Sequence, residues 1–276
     1  MCSTQPMTNR MALLAIVAAT LLSSVPPPAL ADEITVAAAA DLTFAFKDVA
    51  AKFQQQSGDT AKLSFGSSGV FFSQIQSGAP FDLFFSADIG YAKKLEAAGL
   101  IEPGTLYEYA IGKIVLWAPT GSKLDVSKGL QILADPTINK IAIANPEHAP
   151  YGRAAIAAMK HDGIYEGVKD KIVLGENISQ TAQFVQSGNA DIGIIALSLA
   201  LAPTMKDRGK YFEIPNAHYP AIEQATVIVK SSKKKDLARK FLAFLRTPEI
   251  VALMERYGFT VPKPTTSASA PGAASQ

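Results

Sequence analysis

Three short stretches hold the residue types that could do chemistry: Ala40-Asp41, Gly66-Ser67-Ser68-Gly69, and Pro150-Tyr151-Gly152. Each follows an apolar run of strand length and precedes residues at helical spacing, so each reads as a loop feeding a helix N-terminus. The first turn of a helix has free N–H groups and a partial positive charge; several such ends converging would hold an anion without any Lys or Arg. Serine hydroxyls add donors and glycine lets backbone approach closely. On composition alone, Asp41, Ser67 and Ser68 read first as caps of their own helices, which is what these residue types ordinarily do.

Catalytic patterns are absent from the sequence. It contains no HExxH, no glycine-rich phosphate loop ending in GK[ST] and no GxSxG elbow. His148, His161 and His218 lie far apart without metal-ligand spacing and read as surface or loop residues. A Ser68/His148 nucleophilic pair is conceivable, since loops at one sheet edge can meet, but nothing supplies a third, orienting group.

The elements that must position these loops alternate strand and helix. Ile34 to Ala39, Lys62 to Phe65, Asp82 to Ser86 and a long run from Ile111 to Ala118 read as strands. Helices are expected from Asp41 through Phe53, over Val70 to Gln76 and over Tyr91 to Ala98. A second block has strands at Lys140 to Ala144, Lys171 to Gly175 and Asp191 to Leu197, with helices over Arg153 to Lys160 and Gln180 to Gln186. Strands at Tyr211 to Ile214 and Thr226 to Lys230 and helices over Lys235 to Leu245 and Pro248 to Arg256 complete the chain. Two such blocks define an α/β architecture with parallel sheets, whose ligand sites lie at the strand carboxyl ends.

The 276 residues allow one or two domains, and 26 Lys+Arg against 24 Asp+Glu argues against a nucleic-acid partner. Residues 1–31 read as an export signal: Arg10, an apolar run from Met11 to Leu22, and Ala29-Leu30-Ala31 as the cleavage site, with cleavage after Ala31. The apolar run is too short to span a bilayer. Cleavage would remove Cys2, the single cysteine, leaving a chain without thiols. That suits an oxidising compartment and excludes thiol catalysis. Residues 264–276 read as a disordered tail.

Five stretches carry a family resemblance: Ile34 to Leu42, Phe65 to Gly69, Gly78 to Asp88, Asn145 to Gly152 and Arg256 to Phe259. In this order they resemble the molybdate-binding proteins of ABC uptake systems. The resemblance implies a two-lobed periplasmic receptor, type II-like, each lobe a mostly parallel sheet flanked by helices. It implies closure on a tetrahedral oxyanion, molybdate and also tungstate, for a membrane permease. Family topology places two crossings, near Ile111 to Ala118 and Tyr219 to Val227, giving one lobe of 32–112 plus 220–263 and another of 113–219.

The resemblance also assigns the ligand-binding positions. Ser68 would offer hydroxyl and N–H; Tyr151 and Ile178 would offer main-chain N–H groups. Asp41 falls where many relatives have Ser, and Ala196 where some have a Tyr hydroxyl. Ser67 and Ser198 are further candidate donors, Ser198 replacing the hydroxyl missing at Ala196. A carboxylate facing a dianion at about 4 Å costs several kcal/mol in a partly shielded site. Asp41 is therefore expected to turn its carboxylate away to cap its own helix, leaving only its N–H on the ion. A protonated carboxyl donating a hydrogen bond is the second possibility. The expectation is a monomeric, non-enzymatic receptor with no cofactor, molybdenum entering only as molybdate. Its rivals are a receptor for sulfate or a small acid, and an exported serine hydrolase.

Overall fold

The computed structural model describes residues 1–2 and 31–262. The export-signal reading, apart from Met1, Cys2 and Ala31, and the tail reading lie outside the described residues.

The first sheet is built from β1 (Glu33–Ala39), β2 (Thr60–Gly66), β3 (Leu83–Ser86), β4 (Tyr107–Gly112) and β10 (Ile222–Ile228), in the order β2-β1-β3-β10-β4. The second contains β5 (Ile114–Pro119), β6 (Ile141–Ala144), β7 (Ile172–Gly175), β8 (Ile192–Ala196) and β9 (Gly209–Glu213), in the order β7-β6-β8-β5-β9. Both are mixed. In each, four strands share a direction and one runs against them, β10 in the first and β5 in the second. Each opposed strand follows directly on the chain's passage from one sheet to the other.

The helices are α1 (Thr43–Ser57), α2 (Ser68–Gln76), α3 (Ile89–Ala97), α4 (Pro150–His161), α5 (Tyr165–Val168), α6 (Ile178–Gln186), α7 (Leu197–Ala200), α8 (Lys235–Leu245) and α9 (Pro248–Arg256). In α1, Ala45, Phe46, Val49 and Phe53 recur at intervals of one to four, bury one face, and the helix ends at Gly58 with φ +78°. Phe46 and Phe53 pack against Phe241 of α8, with ring centroids 6.3 and 5.0 Å apart, so the chain's last helices seal the first sheet. Burial of each such ring contributes roughly 1.5–3 kcal/mol.

The long strand expected over Ile111 to Ala118 is two strands. β4 ends at Gly112 in the first sheet and β5 starts at Ile114 in the second. Gly112 and the part-buried Lys113 mark the break in sequence, a glycine and a charge between Ile111 and the fully apolar Ile114–Ala118. Helices α2 and α4 begin earlier than expected, at Ser68 and Pro150. Their glycines were read as turn residues, yet a Cβ on Gly152 would overlap the Ala144 carbonyl, and one on Gly69 would lie 2.8 Å from the His148 carbonyl. These glycines allow close approach inside helices.

The register levels the strand ends. Ala39 of β1 pairs with Gly66 of β2, and Ala144 of β6 with Gly175 of β7. Loops leaving neighbouring strands therefore emerge side by side.

Candidate functional site

Those strand ends from the two sheets face one another across a small cavity of about 10 Å³. Its first-sheet wall is Ala39, Ala40 and Asp41 after β1, Gly66, Ser67 and Ser68 after β2, and Ala87 after β3. The opposite wall is Ala149, Pro150 and Tyr151 at the start of α4, with Asn177 and Ile178 at the start of α6. Asn177 caps α6, its Oδ1 accepting from the Ser179 and Gln180 N–H groups at 3.0 and 3.1 Å. Three helix N-termini and a 3-10 turn (Ala40–Leu42) thus open on one space, and among the described residues no Lys or Arg lines it. An arrangement of this kind can hold a small anion through neutral donors.

The structure brings Asp41, Ser67, Ser68, Tyr151 and Ile178 together at the cavity. Ala196 and Ser198 lie outside its lining. Ala196 ends β8, paired with Ile114, and the Ser198 hydroxyl donates to the Asp41 carbonyl at 2.7 Å. Ser198 thus joins the two walls, its hydroxyl proton committed to the Asp41 carbonyl. Ser68 Oγ accepts from the Ala87 N–H at 2.9 Å, which leaves its own proton free. The Ser67 hydroxyl donates to the His148 carbonyl at 2.5 Å.

Asp41 does not cap its helix: no side-chain cap bond is present at the 3-10 turn or at α1. Its carboxylate points instead to a buried polar group. Oδ2 accepts from the Tyr151 hydroxyl at 2.9 Å and from Gln224 Nε2 at 2.7 Å. Gln224 Nε2 also donates to the Tyr151 oxygen at 2.9 Å, and the Tyr109 hydroxyl donates to Gln224 Oε1 at 2.7 Å. Asp41 Oδ1 is buried without a partner. Burial pushes the Asp41 carboxyl up to about 6, against the lowering effect of the Gln224 and Tyr151 hydrogen bonds. The same burial, with Asp41 nearby, keeps the Tyr151 phenol well above its ordinary range.

Gln224 and Tyr109, which complete this buried polar group, are not among the residues the sequence points to. The signal was weak: Gln224 is buried, but it stands beside Glu223 and two positions before Thr226 in a strand with three polar residues. Starting that strand at Thr226 concealed it.

Further bonds join the walls. The Gly69 N–H donates to the His148 carbonyl at 3.0 Å, the Ser179 hydroxyl to the Ala40 carbonyl at 2.7 Å, and Arg153 pairs with Asp88 at 2.5 Å. The conceivable Ser68/His148 pair is not formed. His148 Nδ1 lies 2.9 Å from Ser67 Oγ, whose proton already goes to the His148 carbonyl, so the imidazole must donate there. A donating nitrogen is not a general base for that serine.

Two lobes with a small donor-lined cavity between them define a solute receptor, and the chain belongs to the family of bacterial extracellular solute-binding proteins, matched over residues 34–260. This is a family of transport receptors, not enzymes. Within it the chain is similar to the molybdate-binding protein ModA of Rhodobacter capsulatus, 38% identical over 84% of this chain and 90% of that protein. The corresponding Azotobacter vinelandii protein is 37% identical over 83% and 90%. The solved structure of an A. vinelandii periplasmic molybdate-binding protein superposes with a TM-score of 0.79 at 33% identity, over 83% of this chain and all of that one.

Proposed function

We propose that this protein captures molybdate, and tungstate with it, in the cavity between its lobes and delivers it to the membrane permease of an ABC importer. The observation that carries the reading is the convergence of helix N-termini and the free Ser68 proton on a space without a cationic side chain. The chain acts in the periplasm as a monomer after export and needs no cofactor. Its lobes are residues 32–112 with 220–263, and 113–219.

Ser68 donates its hydroxyl proton, while the N–H groups of Tyr151 and Ile178, in the first turns of α4 and α6, donate from the other lobe. Asp41 binds as the acid. Its Oδ2 is engaged by Tyr151 and Gln224, so the proton resides on Oδ1. Size sets selectivity: sulfate is a smaller tetrahedron and would leave buried donors unpaired at roughly 1–3 kcal/mol each. Phosphate retains a proton near neutrality that the N–H and hydroxyl donors do not accept. Only the ionised Asp41 carboxylate could take it, so rejection of phosphate rests on Asp41 carrying its own proton.

Calorimetry with molybdate, tungstate, sulfate and phosphate tests the proposal. Molybdate and tungstate should bind one to one, and Ser68→Ala should weaken both by roughly tenfold or more. Ser67→Ala should weaken them less, because its hydroxyl is engaged by His148. Sulfate binding as tightly as molybdate, or no oxyanion binding at all, would reject the reading.

A further inference from the structure

The fold brings together two histidines that are 57 positions apart in sequence, His161 and His218, around one carboxylate. His161 ends α4, Asp162 follows it, and His218 closes a short 3-10 turn, Asn216–His218, ahead of β10. His161 Nδ1 lies 3.0 Å from Asp162 Oδ1, and His218 Nδ1 lies 2.7 Å from the same oxygen. One ligand atom from each of the three falls within 4.8 Å of the others.

His218 Nδ1 is buried and makes no hydrogen bond, although the carboxylate oxygen is 2.7 Å away. The contact is close enough for a hydrogen bond but lacks the alignment of one. Two ligands on one first-row cation, each about 2.0–2.1 Å from it, stand about 2.9 Å apart at a right angle and about 3.4 Å apart at the tetrahedral angle. The separations of 2.7 and 3.0 Å lie near the right-angle spacing. The two imidazoles stack with centroids 4.2 Å and planes 24° apart, so holding one ion requires the rings to turn toward it. The C-terminal end of α4 adds the negative end of a helix dipole. His161, whose side chain is 51% exposed, leaves a route from solvent.

We propose that His161, Asp162 and His218 form a site for a divalent first-row transition cation of the kind that favours imidazole, Zn²⁺ or Ni²⁺, with water completing its coordination. The site is separate from the oxyanion cavity and does not depend on what that cavity binds. It would fasten the end of α4 to the segment that leads back to the first sheet.

Titrating Zn²⁺ and Ni²⁺ into the full chain carrying Cys2→Ser, which removes the exposed thiol, tests this. One-to-one saturable binding is expected near pH 7.5, lost near pH 5.5 because the ligating imidazoles must be unprotonated. His161→Gln and His218→Gln should each weaken binding by about tenfold or more while leaving oxyanion affinity unchanged. Half-exposed His161 tolerates substitution, so that variant decides the matter even if His218→Gln folds poorly. No saturable binding, or binding undiminished in His161→Gln, overturns the proposal.

Discussion

The Tyr151 hydroxyl of one lobe donates to the Asp41 carboxylate of the other at 2.9 Å, and this bond is completely enclosed. Asp41 is 1% exposed, and its second oxygen has no protein partner. The closed receptor therefore has a titratable group at its centre. Burial raises the group's folded value to about 6 from an ordinary 3.8. Folded protein holds the proton more tightly than unfolded chain does, so stability falls as pH rises from about 4 to about 6 and is level on either side. A displacement of about two units corresponds to about 3 kcal/mol.

Asp41→Asn should remove that loss. The amide oxygen still accepts from Tyr151 and Gln224, and the side chain no longer ionises. Thermal melts should show the variant several degrees more stable than the parent near pH 7.5 and matched with it near pH 4. Equal pH dependence in the two proteins would mean that Asp41 does not set it.

Oxyanion affinity should carry the same signature. A dianion beside Asp41 favours the protonated carboxyl, so binding takes up a proton once the free protein has lost it. Affinity should fall by up to about tenfold per pH unit between pH 6 and 8 in the parent. In Asp41→Asn it should stay flat. Calorimetry in buffers of different ionisation enthalpy would count the proton directly; none taken up by the parent near pH 7.5 contradicts the assignment.

Much of this centre was legible in the sequence because helix starts after apolar strands are a local pattern. Asp41, Ser68, Tyr151 and Ile178 are all found that way or by family resemblance, and all reach the cavity. What was not legible depends on distance. Whether Asp41 caps its own helix or meets Tyr151 is decided by a residue 110 positions away. The division of Ile111 to Ala118 between two sheets is marked only by Gly112-Lys113. A single glycine and lysine in a strand-length run do not show that the chain changes sheets there. Gly69 and Gly152 have the composition of turns, and only the neighbour each must clear shows that they lie within helices. His161 and His218 carry no spacing signal, since a turn before β10 and the end of α4 bring them together.

The Arg153–Asp88 pair also spans the lobes but should matter little. Both side chains are more than a third exposed, and such pairs contribute about 0–1 kcal/mol. Asp88→Asn is the clean test, because Asp88 Oδ1 also accepts from the Gly90 N–H at the start of α3 and an amide can retain that bond. Oxyanion affinity should drop less than about fivefold at low salt, and the difference should vanish in high salt. A loss of a hundredfold would make this pair a determinant of closure.

Gly112 ends β4 where the chain leaves the first sheet, and it makes room for the Asp41 group. A Cβ there would overlap the Tyr151 hydroxyl and lie 2.6 Å from Gln224 Nε2. Gly112→Ala should therefore displace the hydroxyl from Asp41 and weaken oxyanion binding. Tyr151→Phe removes the same hydroxyl directly. Because Asp41 binds as the neutral acid, the bond contributes about 0.5–1.5 kcal/mol, so about two- to tenfold in affinity is expected from Tyr151→Phe. The two changes act on one bond, and the double variant should bind about as well as the weaker single variant. Additive losses in that cycle would place the effect of Gly112→Ala elsewhere, in the chain's path between the sheets rather than in the hydrogen bond that joins the lobes.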